Sequence, residues 1–210
     1  MSTLAAEVLA TARAMNGAGI NRGSAGNVSA RCADGFLITP TGMAYAECSA
    51  DDMVKVGADG TASGRRKPSS EWRFHHDIYA ARPEADAIVH AHSPFATTLA
   101  CQSFEIPPFH YMIARFGGDS IRCAGYATFG TQALSDAMLI ALQGRRACLM
   151  AHHGMVVFGD NLKEALALAV ELETLCEQYW RVLQVGAPKL LPPDEMERII
   201  EKFKSYGKQS

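Results

Sequence analysis

The segment DAIVHAHSP, residues 86–94, combines a short apolar run with two histidines two positions apart. Pro83 before the run and Pro94 after it predict a buried strand followed by a helix, because proline fits the first turn of a helix. Side chains alternate along a strand, so the imidazoles of His90 and His92 are expected to project from the same face. Two ring nitrogens would then converge, although such a pair can also be an ordinary surface or core pair.

The segment PSSEWRFHHDIYAAR, residues 68–82, predicts an amphipathic helix that begins near Ser69. Glu71 would lie in its first turn, where backbone N–H groups point outward and the helix dipole favours negative charge. These N–H groups, together with the hydroxyls of Ser69 and Ser70, suit a phosphate. The alternative for both serines is simple helix capping.

Downstream, ACLMAHHGMVVFG, residues 147–159, has the β-branched and apolar content of a central strand. A histidine buried there needs a polar partner, and a metal ion would supply one. Gly154 removes a side chain where backbone or ligand needs to come close. Three imidazoles with an open position are the arrangement of a catalytic Zn²⁺ site, and Glu71 is the natural fourth group.

The rest of the chain alternates between predicted strands and helices, which by itself favours a parallel sheet within one domain over residues 1–210. Asp34-Gly35 predicts a tight hairpin turn. Two glycine-containing segments, RGSAGNVSAR and TPTGM, bring Asn27, Thr41 and Gly42 to turns where N–H groups could cluster. Helices are expected at the start of the chain, over TQALSDAMLIALQG, from Leu162 to about Val185 with Asn161 as cap, and from a cap at Asp194 to about Lys204.

Composition excludes several classes of protein. The chain has 210 residues, of which 48% are hydrophobic and 20% charged, and this is ordinary globular usage. Its formal net charge is −2, so the chain lacks the excess of basic residues that nucleic-acid binding usually needs. No C-x-x-C pair suggests a redox or metal ribbon, and no apolar run is long enough for a membrane span. The first residues do not resemble a signal peptide, so a cytoplasmic protein is expected.

Several segments, taken in order, resemble the L-fuculose-1-phosphate aldolase branch of the class II aldolase family, in the aldolase/adducin superfamily. The resemblance covers nearly the whole chain. It implies an α/β fold in which a central, mainly antiparallel sheet is flanked by helices on both sides. This implication takes precedence over the parallel sheet that the alternation of strands and helices favours. It also implies a homotetramer with active sites at subunit interfaces. The segments are GSAGNVS, ITPTGM, PSSEWRFH, VHAHSP, IPPFHYMIARFGG, YATFGT, HHGM and EKFKSYG.

By matching position, the resemblance implies roles for individual residues. His90, His92 and His153 would bind one Zn²⁺ per subunit, with Mn²⁺ or Co²⁺ as alternatives. Glu71 would bind the resting metal and then act as the acid/base, and Tyr111 would protonate the aldehyde oxygen. The remaining matches are to the phosphate-binding residues Asn27, Thr41, Gly42, Ser69 and Ser70, and to Phe129 and Tyr206, which a neighbouring subunit would contribute to the aldehyde pocket.

The implied activity is that of an aldehyde-lyase, which reversibly cleaves a ketose 1-phosphate to dihydroxyacetone phosphate and an aldehyde. Zn²⁺ would stabilise the enediolate. Ala91 and Ser93-Pro94 depart from the pattern of the fuculose-phosphate enzymes, as does the short C-terminal tail. Because these departures would lie near the aldehyde, related substrates stay open: 5-deoxyribulose 1-phosphate and 5-(methylthio)ribulose 1-phosphate.

Three alternatives exist within the superfamily. Pentulose-phosphate 4-epimerases carry aspartate at the position of Glu71, whereas this chain has glutamate. A methylthioribulose-phosphate dehydratase would use the same metal for loss of water. Adducin-like interaction modules lose the histidines, all of which this chain retains.

Overall fold

The strand that carries His90 lies near the middle of an eight-stranded sheet. The computed structural model describes residues 3–204. The strands are β1 (Asn27–Cys32), β2 (Gly35–Ile38), β3 (Val54–Gly57), β4 (Ala62–Ser63), β5 (Ala87–Ala91), β6 (Cys123–Ala124), β7 (Ala147–Met150) and β8 (Gly154–Gly159). Their order across the sheet is β4-β3-β2-β1-β5-β8-β7-β6.

Neighbouring strands of this sheet are antiparallel, except β6 and β7, which are parallel. The mainly antiparallel sheet that the family resemblance implies is therefore confirmed, and the parallel sheet that alternation favoured is wrong. A parallel pair needs a crossover connection to the adjacent strand. In this fold α4 (Gln132–Ala141) makes that crossover from β6 to β7, whereas a tight turn joins β1 to β2 and another joins β7 to β8.

Helices cover both faces of the sheet. One face packs against α1 (Thr3–Gly17), α3 (Pro94–Cys101) and α5 (Leu162–Val185). The other packs against α4 and α2 (Trp72–Ala81). Along β5, Val89 points to the first cluster and Ile88 to the second, as strand alternation requires. His90 therefore faces the side on which α2 begins.

Local sequence patterns correctly predicted a hairpin turn and a helix cap, and they placed the cap of the last helix close to its observed start. The Asp34-Gly35 hairpin forms, and Gly35 has φ 144°, where a Cβ would overlap the carbonyl oxygen of Val56. Asn161 caps α5, because its side chain accepts from Glu164 N at 2.9 Å. The last helix, α6 (Pro193–Phe203), starts one residue before the expected cap at Asp194.

Within residues 3–204 no helix combines the length and apolarity that a membrane span requires.

Candidate metal centre

Glu71, His90, His92 and His153 come together at one end of the central strands. Glu71 immediately precedes α2, His90 lies on β5, and His92 follows the end of that strand. One ligand atom from each of the four residues lies within 4.8 Å of the others. The structure thus contains a metal site of three imidazoles and one carboxylate, as the sequence predicted.

His153 does not lie on a strand, contrary to the sequence-based expectation. Residues 151–153 form the turn between β7 and β8, and His152 has φ 55°. This turn lies at the end of β5 because β5 and β8 pair with Ala91 opposite Met155. Gly154 is needed there, since a Cβ would lie 3.1 Å from His92 Cδ2 and would overlap the carbonyl oxygen of Ala91.

The three imidazoles surround a common point. Their ring centroids are 4.8–4.9 Å apart and their planes cross at 72–77°. His90 Nε2 lies 3.0 Å from His92 Nε2 and 3.0 Å from Glu71 Oε2, while His153 Nε2 lies 2.9 Å from Glu71 Oε1. Buried Glu71 Oε1 nevertheless has no hydrogen-bond partner of acceptable geometry among residues 3–204. An orphaned carboxylate oxygen facing ring nitrogens fits a cation placed between them.

Charges within the cluster oppose its complete protonation. Burial lowers the pKa of His92 to about 4, and repulsion from His90 and His153 adds to this shift. Burial alone would raise the pKa of Glu71, but attraction to His90 and His153 outweighs it and lowers that pKa. The carboxylate is therefore charged, and a divalent cation can balance it better than protons shared among crowded rings.

The backbone selects the tautomer of His90. Its Nδ1 lies 2.8 Å from the carbonyl oxygen of Met155, and a carbonyl only accepts, so Nδ1 carries the proton. In the neutral ring Nε2 is then a free lone pair directed into the cluster. Such an outer hydrogen bond is the usual support of a metal-binding histidine.

A cavity of about 280 Å³ opens beside the metal site. Three residues of the site, Glu71, His92 and His153, line it together with Ser70, and the rest of its lining is Ala25, Tyr126, Ala127, Phe129 and His152. Phe129 was expected to come from a neighbouring subunit, yet it already lines the cavity of its own chain. A small substrate can therefore reach Glu71, His92 and His153 from this cavity.

Two loops that carry the predicted phosphate-binding residues lie side by side. Pro40 and Pro68 form an isolated antiparallel bridge, which places Thr41 opposite Lys67 and Ser69 opposite Thr39. Thr41 N already donates to Lys67 O and Ser69 N to Thr39 O. Within residues 3–204 the backbone N–H groups of Gly42 and Ser70 have no protein partner. They are the N–H groups left for an anion.

Helix α2 begins later than expected, so Glu71 precedes the helix instead of lying in its first turn. α2 starts at Trp72, three residues after Ser69, and Glu71 occupies the cap position. Ser69 Oγ accepts from Glu71 N at 3.3 Å, so the Ser69 hydroxyl stabilises the turn before the helix, whereas Ser70 is exposed to the cavity.

Asn27 is buried, with its side chain on Glu71. Its Nδ2 donates to Glu71 Oε2 at 2.9 Å, and its Oδ1 accepts from His75 Nε2. Asn27 lies opposite His90 in the pairing of β1 with β5, so strand register alone brings it to the metal site. Its predicted contact with phosphate stays a prediction.

Tyr111 lies apart from the metal site of its own chain. It begins the 3₁₀ helix Tyr111–Phe116, is half exposed, and stacks on Phe203 with ring centroids 6.5 Å apart. The cavity that it lines includes Met112 and Ile199 but not Glu71. Tyr206 lies outside the described residues.

Ala91 and Ser93, two of the residues that depart from the family pattern, do not line the substrate cavity of their own chain. Ala91 is fully buried in the apolar cluster under α3 and α5. Ser93 Oγ donates to Glu173 Oε2 at 2.6 Å, and the same carboxylate accepts from two N–H groups at the start of α3. Within one chain these two residues therefore lie away from the cavity, and their influence on the choice of sugar stays a prediction.

Sequence reasoning missed Tyr126 and His152 as cavity residues. Tyr126 is 66% exposed, and its ring meets the His152 ring edge-on at 5.9 Å. Neither residue stands in a pattern that predicts its position, because both lie in loops. The available signal is the aromatic content of YATFGT, residues 126–131, which contains Tyr126 as well as Phe129.

Residues 6–180 match the family described as Class II Aldolase and Adducin N-terminal domain. The chain is 56% identical over 196 residues to 5-methylthioribulose-1-phosphate/5-deoxyribulose-1-phosphate aldolase of Rhodospirillum rubrum. The matched region covers 93% of this chain and 89% of that relative. It is 44% identical over 205 residues to L-fuculose phosphate aldolase of Escherichia coli, covering 97% and 95% of the two chains.

The fold also matches a solved structure. A protein titled L-fuculose 1-phosphate aldolase superposes with a TM-score of 0.94 at 37% sequence identity, and the match covers 97% of each chain.

Proposed function

Because the chain belongs to the class II aldolase and adducin family and is a class II aldolase, we propose that it uses Zn²⁺ to cleave a ketose 1-phosphate. The products would be dihydroxyacetone phosphate and an aldehyde, and the reaction would be reversible. The observation that carries this proposal is the convergence of Glu71, His90, His92 and His153 within 4.8 Å beside a substrate-sized cavity.

His90, His92 and His153 would hold the cation and leave one side open to the cavity. When bound, the cation supplies a Lewis acid that stabilises negative charge on substrate oxygens next to the bond that breaks. Mn²⁺ or Co²⁺ could fill the same donor set, since imidazole and carboxylate ligands suit all three metals. Class II aldolases depend on a metal, and the buried orphan oxygen of Glu71 fits that requirement.

Glu71 would carry the proton. In the condensation direction it would remove a proton from the hydroxymethyl carbon of dihydroxyacetone phosphate, and in cleavage it would return that proton. Its Oε1 lies 2.9 Å from His153 Nε2, while its Oε2 is held by Asn27. One oxygen is thus anchored by an amide, and Glu71 as a residue lines the substrate cavity.

Asn27, Thr41, Gly42, Ser69 and Ser70 would bind the phosphate. Support comes from the Pro40–Pro68 bridge, which brings the two loops together, and from the unpartnered N–H groups of Gly42 and Ser70. Backbone N–H groups and hydroxyls bind phosphate without a lysine or arginine.

Tyr111, acting from a neighbouring subunit of a homotetramer, would protonate the aldehyde oxygen. Tyr111 and Glu71 line different cavities in one chain, so this role needs a second copy of the chain. Tyr206 is proposed to accompany it. We further propose that the subunit is a single domain over residues 1–210 and that the enzyme acts in the cytoplasm.

The aldehyde end of the cavity favours an apolar substituent. Ala25, Tyr126, Ala127 and Phe129 are among the residues that line the cavity, and they suit a methyl or methylthio group. The 56% identical relative is named for 5-methylthioribulose 1-phosphate and 5-deoxyribulose 1-phosphate, whereas the relative named for L-fuculose phosphate is 44% identical. We therefore place the two pentulose 1-phosphates ahead of L-fuculose 1-phosphate.

A panel of these three ketose 1-phosphates tests the function, with products identified by NMR. We expect an aldehyde and dihydroxyacetone phosphate, formed fastest from a pentulose 1-phosphate. A dehydrated ketone would instead identify a dehydratase, and an isomeric pentulose phosphate an epimerase.

Ser70→Ala is expected to raise KM for the ketose 1-phosphate about tenfold or more. A hydrogen bond to a charged group contributes about 1.5–3 kcal/mol, and each 1.4 kcal/mol is about a factor of ten. Steady-state kinetics beside Ser63→Ala, an exposed serine on β4 outside the cavity lining, provides the comparison. An unaltered KM in Ser70→Ala would mean that phosphate binds elsewhere.

A further inference from the structure

A buried chain of hydrogen bonds continues from Glu71 into the protein, between β1 and α2. Asn27 Nδ2 donates to Glu71 Oε2 at 2.9 Å, and Asn27 Oδ1 contacts His75 Nε2. Beyond the imidazole, His75 Nδ1 lies 2.6 Å from Ser29 Oγ, which lies 2.8 Å from the Tyr79 hydroxyl. All of these side chains are buried, and His75 is fully so.

The spacing of the two elements produces this chain. Asn27 and Ser29 are two apart on β1, so they share a face at a separation of about 6.6 Å. Glu71, His75 and Tyr79 recur every four residues, a rise of about 6 Å along a helix. Because the two repeats nearly coincide, strand and helix side chains interleave as successive partners.

Each hydrogen bond in the chain has one direction. The Glu71 carboxylate only accepts, so the Asn27 amide presents N–H to it and keeps its carbonyl oxygen for His75 Nε2–H. Burial lowers the pKa of His75 to about 3, so the ring is neutral and carries one proton. His75 Nδ1 then accepts from the Ser29 hydroxyl, which in turn accepts from the Tyr79 hydroxyl.

We propose that His75 is a positioning residue, whose Nε2–H fixes the Asn27 amide so that its N–H group holds Glu71 Oε2 in place. This role rests on the proposed function of Glu71 as the acid/base. Without the His75 donor, the Asn27 amide can turn over and present an oxygen to the carboxylate. The Phe74 ring, stacked on His75 with centroids 4.7 Å apart, keeps the imidazole in the required plane.

Three variants test the role in the metal-loaded enzyme. His75→Phe keeps a flat ring but removes the donor, whereas His75→Gln keeps an N–H group within reach of Asn27. The control is His76→Phe. The His76 ring forms hydrogen bonds with the Asp77 carboxylate and the Ala58 carbonyl oxygen, and it takes no part in the series of hydrogen bonds from Glu71 to Tyr79. We expect kcat to fall about 10–100-fold in His75→Phe, to recover largely in His75→Gln, and to stay unchanged in His76→Phe. KM for the ketose 1-phosphate should change little, because orientation of Glu71 acts on the chemical step.

Two measurements accompany the kinetics. Metal content per chain should be equal in all variants, since within residues 3–204 the hydrogen bonds and ring contacts of His75 go to Asn27, Ser29, Phe36 and Phe74 and not to a metal-binding residue. NMR of protein labelled with ¹⁵N in its histidines should show His75 protonated at Nε2 and bare at Nδ1.

The proposal is overturned by an Nδ1-protonated His75, by full kcat in His75→Phe, or by equal loss of kcat in the Phe and Gln variants. If His75→Phe does not fold, the Gln variant and the NMR tautomer decide the question. Failure of the proposed function is distinct, because the unsubstituted enzyme would then cleave none of the ketose phosphates while the tautomer could still be read.

Discussion

Glu71→Gln is expected to lower kcat about 10²–10⁴-fold while the protein keeps its metal. Glutamine has nearly the shape of glutamate, but its amide cannot take up the proton that the reaction moves. The three imidazoles remain, and their centroids already lie 4.8–4.9 Å apart around the cation position. Loss of turnover with retention of metal would separate proton transfer from metal binding.

The matched control is Glu47→Gln, which neutralises an exposed carboxylate outside the cavity lining. Its kcat and metal content should equal those of the unsubstituted enzyme. Unchanged turnover in Glu71→Gln would remove Glu71 from its proposed role. Loss of the metal in that variant would assign Glu71 to metal binding instead.

His92→Ala is expected to lose most of its metal, and its turnover should fall in proportion. His92 Nε2 is one of three ring nitrogens in the cluster, at 3.0 Å from His90 Nε2. A catalytic zinc site has three protein ligands, so losing one leaves too few to hold the ion. Metal analysis of the purified variant measures the loss directly.

His152→Ala is the control for that variant. His152 lines the same cavity, but its ring lies against Tyr126 and it is not among the clustered ligands. Its metal content should stay that of the unsubstituted enzyme. Full metal occupancy in His92→Ala would contradict the ligand assignment.

Much of the fold could be predicted from local sequence, because the signals lie within a few residues of the structure they produce. The Asp34-Gly35 turn, the strand that carries His90 and the Asn161 cap are of this kind. Strand direction is not local. It depends on which distant strands pair, so alternation favoured a parallel sheet and only the resemblance to a known family corrected it.

The candidate site shows the same division. His90 and His92 could be paired from strand periodicity. His153 was wrongly predicted to lie on a strand, because the apolar residues on both sides of the turn at 151–153 read as one continuous strand. The link from Glu71 to Tyr79 was also missed. Asn27 and Glu71 are 44 positions apart, and Ser29 and Tyr79 are 50 apart. Their interleaving becomes visible only once β1 is known to face α2.

Turnover of a ketose 1-phosphate by metal-stripped protein tests the central claim most directly. The metal is removed with a chelator, its residual content is measured, and cleavage is followed before and after Zn²⁺ is added. We predict that cleavage falls to background as the metal is lost and returns as Zn²⁺ is restored. Full-speed cleavage by protein shown to contain no metal would contradict the account.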